Sequence, residues 1–135
     1  MASASWALQQ AIYASLTSDS ALVALLGGER VYDDVPERKM FPYVTFAPTS
    51  ERDWSTGSDA GTEHGVVLHV WSRGAGRKEA LAIMEAVRVR LHDAALTPED
   101  HRLVNLRHES AEVRRDADGE TYHGIVRFRA VTEPV

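Results

Sequence analysis

The chain contains no cysteine, which excludes disulfides, thiolate-held metals and cysteine nucleophiles. It has no apolar run approaching the ~18–20 residues that a membrane-spanning helix needs. Its first residues, Met1 to Trp6, lack the basic start and apolar stretch of a secretory leader. Catalytic signatures are missing as well: there is no G-x-S-x-G, no H-E-x-x-H, no P-loop and no dinucleotide fingerprint. Nor is there an excess of positive charge. The net charge is −5, and tight nucleic-acid binding generally requires a basic stripe to displace counterions. A regulator that binds DNA is therefore disfavoured. What is present is ordinary: 135 residues, 44% hydrophobic and 26% charged, enough apolar material for one buried core. The expectation is a soluble, cytosol-made chain forming one domain, residues 1–135.

The acids are unevenly placed. Residues 1–67 hold nine acids and four Lys or Arg, whereas residues 68–135 hold eleven of each. Arginine outnumbers lysine 13 to 2, a bias of composition rather than of chemistry.

Along the chain, Leu8, Ile12 and Leu16 mark one face of a helix over Ser5–Leu16, with Ser3 or Ser5 as its cap. A second cap at Thr17–Ser20 precedes a short apolar helix around Leu22–Leu26, closed by Gly27-Gly28. Arg30–Tyr32 is extended, residues 35–42 are irregular because of Pro36 and Pro42, and Tyr43–Phe46 is a strand. Residues 49–63 are polar and without periodicity, which predicts a loop. Gly65–Trp71 is apolar on both faces, the pattern of a central strand covered on both sides. Ala80, Ile83, Met84, Val87 and Leu91 give the strongest helix signal, over Arg77–Asp93. Leu103–Leu106 and Ala111–Val113 read as one strand or a bent pair. A turn at Asp116–Gly119 leads into a last strand, Thr121–Thr132. The order predicts an α+β fold: an N-terminal helical hairpin and a four-stranded, mainly antiparallel sheet on one long crossover helix.

Candidate chemistry is sparse. The Gly74-Ala-Gly76 turn lacks the remainder of a phosphate-binding motif. The six histidines have no ligand spacing, and His64 and His69 point to opposite faces of their strand. Asp33, Asp34, Asp53 and Asp59 could gather as a carboxylate cluster for Mg²⁺ or acid–base work, although turn chemistry and loop solubility are the better account of them. Trp54, alone among polar residues, is either folded onto its own core or an anchor for a partner. Arg127 and Arg129 share the face of the last strand opposite its aromatic row, where a neighbouring subunit's acids, a phosphate backbone or solvent could meet them. The candidate contact residues are therefore Arg52, Asp53, Trp54, Asp59, Arg127 and Arg129, with no cofactor or metal expected. A small enzyme using the Asp and His residues is the reading from a different class.

In order, Ala21–Gly28, then Arg30-Val-Tyr-Asp33, Val35-Pro36, Phe41-Pro-Tyr-Val44, His69-Val-Trp-Ser72 and His123–Arg129 give the chain a recognisable pattern. It resembles the small tail-completion or tail-terminator proteins of long-tailed phages and of gene transfer agents, the phage-like particles of bacteria. The resemblance implies a structural protein made in the bacterial cytoplasm and placed at the neck of a virion or phage-like particle. There a ring, usually of six copies, caps the tail tube, stops its polymerisation and joins it to the head-side connector. Its partners would be itself, the major tail tube protein and the connector or stopper, with DNA passing through the ring and no membrane involved. A stopper of the neck is the alternative within that class. Head-to-tail contacts that close give such a ring, and Tyr43–Phe46 or the last strand are expected as its pairing edges.

Overall fold

The computed structural model describes residues 3–135; the reading of Met1 and Ala2 as the head of a leaderless N-terminus lies outside it. Three helices and six strands follow one another as α1 (Ala4–Thr17), α2 (Ser20–Leu26), β1 (Val31–Tyr32), β2 (Tyr43–Phe46), β3 (Ser50–Asp53), β4 (Thr62–Ser72), α3 (Lys78–Leu91), β5 (His101–Arg115) and β6 (Tyr122–Pro134). The α+β class stands, but the sheet has six strands, not four, and is mixed. Its order is β1-β2-β4-β6-β5, with β3 also paired to β4. Among the described residues only the β1–β2 pair is parallel.

The helices begin and end where the local chemistry dictates. The Ser3 side chain accepts from the Trp6 N–H at 3.1 Å and caps α1, satisfying one of the donors that a helix start leaves over. Asp19 does the same for α2 through the Ala21 N–H. Gly27, at φ 80°, stops α2 in the left-handed region and returns its N–H to the Val23 carbonyl; a side chain would be strained there. In α3, Glu79 lies in the first turn and Arg88 and Arg90 in the last, the arrangement that favours the helix dipole. Arg90 also donates to the Ser15 carbonyl at 3.0 Å and to the Ser18 hydroxyl, tying α3 to the end of α1.

The three helices cover one face of the sheet. Leu8, Ile12, Leu16, Leu22 and Leu26 from the hairpin meet Ile83, Met84, Val87 and Leu91 of α3 over Val66, Leu68, Val70, Val126, Phe128 and Ala130 of the central strands. Gly124 of β6 has no room for a side chain, because a Cβ there would lie 2.5 Å from the Met84 sulfur. The predicted double cover of β4 is not found. Its burial alternates strictly from His64 to Ser72, so Val67, His69 and Trp71 look away from the helices.

Two further expectations change, and one open reading is resolved. Residues 49–63 are not a loop throughout: Ser50–Asp53 pairs antiparallel with Thr62–Gly65 as a hairpin arm. Of the one strand or bent pair expected after α3, the single strand is found, running over 101–115 with two register shifts, at Leu103/Asn105 and His108/Ser110. Finally, Tyr43–Phe46 lies between β1 and β4, and the last strand between β4 and β5, so neither is an edge. The turn into β6 is as expected: the Asp118 carboxylate accepts from Glu120 N, Thr121 N and the Thr121 hydroxyl. Those bonds hold its pKa down to about 2.

Candidate interaction surfaces

Alternation along the strands places a second set of side chains on the uncovered face. Arg129 and Arg127 both project there, as predicted, and both are engaged. Arg129 donates to Glu63 of β4 at 2.7 Å, and Arg127 donates to Glu112 of β5 at 2.8 Å. Glu63 also faces Arg52 of β3, 4.0 Å away, whose side chain is 81% exposed. Arg52 is thus the loosely held member of this row. The bond from Arg127 keeps the Glu112 carboxyl below its usual range. Exposed pairs of this kind hold geometry more than stability.

At the other end of the same face, rings replace charges. Trp71 stacks on His123 with ring centroids 3.9 Å apart, and Tyr43 lies beyond it at 6.2 Å. The Trp71 indole donates to the Thr45 hydroxyl at 3.0 Å. His123 Nε2 lies 2.8 Å from His69 Nδ1, so one imidazole donates and the other accepts. Burial lowers the pKa of both, keeping them neutral at pH 7. His64, on the covered face, is buried, shares a bond of 2.8 Å with Thr132 and is likewise held neutral by burial. The opposite orientations of His64 and His69 follow the period of the strand.

The hairpin arm holds the other four candidates. All of β3 is exposed, Arg52 and Asp53 included. Asp53 accepts from the Ser55 N–H and hydroxyl, which lowers its pKa. Trp54 closes the arm through a backbone bond to the Gly61 carbonyl at 2.9 Å. Its side chain packs over Gly61, yet the residue remains 47% exposed. Asp59 shapes the tip, where its carbonyl accepts from the Thr56 N–H at 2.8 Å. The arm therefore gathers Arg52, Asp53, Trp54 and Asp59, whereas Arg127 and Arg129 lie on the body of the sheet.

The four aspartates do not form a site. Asp33 accepts from Gln9, Asp53 serves its own turn, and among the described residues no group of three or more His, Cys, Asp or Glu could hold a metal. An open groove of about 370 Å³ beside α1, lined by Trp6, Gln9, Gln10, Tyr13, Asp33 and Phe46, offers one carboxylate, Asp33, and one phenol, Tyr13. None of this assembles a nucleophile, base and acid. No helix among the described residues is long and apolar enough to cross a membrane.

Sequence reasoning missed the free edge along β5. The signal was legible in the exposed polar residues Glu109, Ser110, Glu112, Arg114 and Arg115, but pairing alone decides which strand lies outermost.

Known proteins resemble this chain over nearly its whole length. Residues 10–133 match the family of tail completion protein gp17. The tail completion protein gp17 of Bacillus phage SPP1 is 32% identical over 126 residues, covering 93% of this chain and 92% of the phage protein. A chain in the solved virion of a native gene transfer agent particle superposes with a TM-score of 0.90 at 34% identity, covering 98% of this chain and 99% of that one. The chain belongs to the tail completion protein gp17 family, and it is a structural tail protein, not an enzyme.

Proposed function

We propose that this protein is a tail terminator, acting as one domain in a virion or phage-like particle. Copies of it close into a ring, six in number, on the last ring of the tail tube. The ring stops tube polymerisation and presents the surface that joins the tail to the head-side connector, and DNA passes through its opening without sequence-specific binding. The observation that supports this reading most directly is the end-to-end likeness to a chain of the gene transfer agent virion. The open strand edges fit it as well, since a head-to-tail contact that closes produces a ring.

In this reading the tip of the arm, Trp54 and Asp59, reaches an axial partner. Arg52 and Asp53 lie beside a neighbouring copy, and Arg127 and Arg129 face the same assembly from the body of the sheet. The test is electron microscopy of particles from cells lacking the protein, with tail lengths counted. Overlong or unjoined tails are expected; joined tails of normal length would refute the proposal.

A further inference from the structure

Two of the outer strands of the sheet, β5 and β3, carry open edges that complement one another. The outer side of β5 is only half covered. The Leu106 carbonyl accepts from the Asp93 N–H at 2.8 Å, and the His108 N–H donates to His92 Nδ1 at 3.0 Å, so the turn after α3 closes the edge as far as the second bulge. Beyond it, residues 109–115 make no outer backbone contact among the described residues, and six of these seven are exposed. On the opposite side of the sheet, β3 pairs with β4 alone, and its outer backbone is likewise without a partner among the described residues. An open edge of this kind is a template for another strand.

We infer that residues 109–115 of one copy pair with Ser50–Asp53 of the next, joining the sheets of neighbouring subunits edge to edge. This rests on the ring reading above. Three properties of the two edges support it. The first is direction. Each of the pairs β3–β4, β4–β6 and β6–β5 is antiparallel, so β3 and β5 of one copy run in opposite directions. Rotation about a ring axis preserves those directions, and β5 therefore meets the next β3 antiparallel.

The second property is charge. Arg52 faces Glu63 and Glu112 faces Ile125, both on the uncovered side of the sheet. Setting Arg52 opposite Glu112 keeps the two sides of the joined sheet in phase, places Ser50 opposite Arg114, and leaves Glu51 diagonal to Arg115. Cross-strand pairs of opposite charge are favourable. Shifting Arg52 two residues along, onto Arg114, would oppose like charges.

The third is stagger. Arg52 lies level with Val131 of β6 through Glu63, whereas Glu112 lies level with Ile125. The contacts are thus offset by six positions along β6, about 20 Å at strand rise. One subunit advances the sheet by four strand spacings, about 19 Å. A ring without net rise then tilts its strands by about 45°, at the upper end of the 35–45° that closed β-barrels adopt.

The absence of cysteine makes the test direct. Residues directly opposite in an antiparallel pair fall within disulfide reach. Particles carrying Arg52→Cys together with Glu112→Cys, oxidised and run without reductant, should give a ladder of covalent multimers that collapses on reduction. Either single variant should give none, as should Arg52→Cys with Arg107→Cys, which uses the covered half of β5. Tails of normal length without a ladder overturn the edge pairing and leave the ring reading intact. Joined tails of normal length in cells lacking the protein overturn the ring reading instead. Should the variant with Arg52→Cys and Glu112→Cys fail to assemble, Ser50→Cys with Arg114→Cys, opposite one another in the same register, takes its place, and assembled particles that give no ladder overturn the pairing.

Discussion

The two faces of the sheet are made of the same strands yet answer to different physics. On the covered face, Val66, Leu68, Val70, Val126, Phe128 and Ala130 are buried under helices, and removal of apolar surface from water is what they contribute. On the other face, one residue along each strand, the contacts are an Arg–Glu row at one end and stacked rings with paired histidines at the other. That face satisfies its polar groups laterally, strand to strand, and needs no helix above it. One side thus holds the fold together while the other, with the two edges, remains available for assembly.

This contrast can be broken from either side. The largest effect belongs to the covered face. Phe128→Ala should cost about 3–5 kcal/mol by leaving a cavity in the core, measured as a fall in the midpoint of chemical unfolding. A loss below about 1 kcal/mol would mean that Phe128 is not a core residue.

Next comes acid. The pKa values of His69 and His123 are lowered by burial, so the unfolded chain, with its histidines near 6.5, takes up protons first. Asp116 and Glu112 favour protonation of His123; Arg114 opposes it at both rings, and Arg127 opposes it at His69. Stability should be fully present above about pH 6.5 and should decline as the pH falls through the lowered folded-state values. His69→Gln should make that decline shallower in melting curves between pH 8 and 5, leaving the share due to His123 and His64. An unchanged slope would show that the pair does not govern it.

Smaller still is Trp54→Ala at the tip of the arm. Melting should change by no more than about 1 kcal/mol of stability, while the yield of joined particles falls. A large loss of melting temperature would make Trp54 part of the core. Smallest of all is Arg127→Ala, whose exposed pairing with Glu112 should be worth less than about 1 kcal/mol to the isolated protein by double-mutant cycle with Glu112→Ala.

Much of this was readable without coordinates, for reasons of range. The stripe from Ala80 to Leu91 is repeated within one helix, the caps at Ser3 and Asp19 act within three residues, and Asp118 bonds its own turn. Tyr43–Phe46 emerged with its own bounds because Pro42 and Pro48 flank it. Periodicity misled where one strand lies in two environments. Val67 and Trp71 are apolar, which suggests a cover on both faces, yet Trp71 finds Thr45, Tyr43 and His123 on its own side. The polar stretch 49–63 hid a strand because an arm exposed on both faces needs no apolar alternation.

What the amino-acid order determines by itself is thus the set of elements and the face each one buries, since caps, turns and apolar stripes act over a few residues of chain. Neighbours were decided only by the tertiary structure. Backbone groups pair with whatever strand lies beside them, irrespective of side chain, and His69 reaches His123 across 54 positions. The same indifference left β5 at one end of the sheet and β3 as a branch beside β4, so the edges proposed to join one copy to the next are features of the folded chain and of no segment within it.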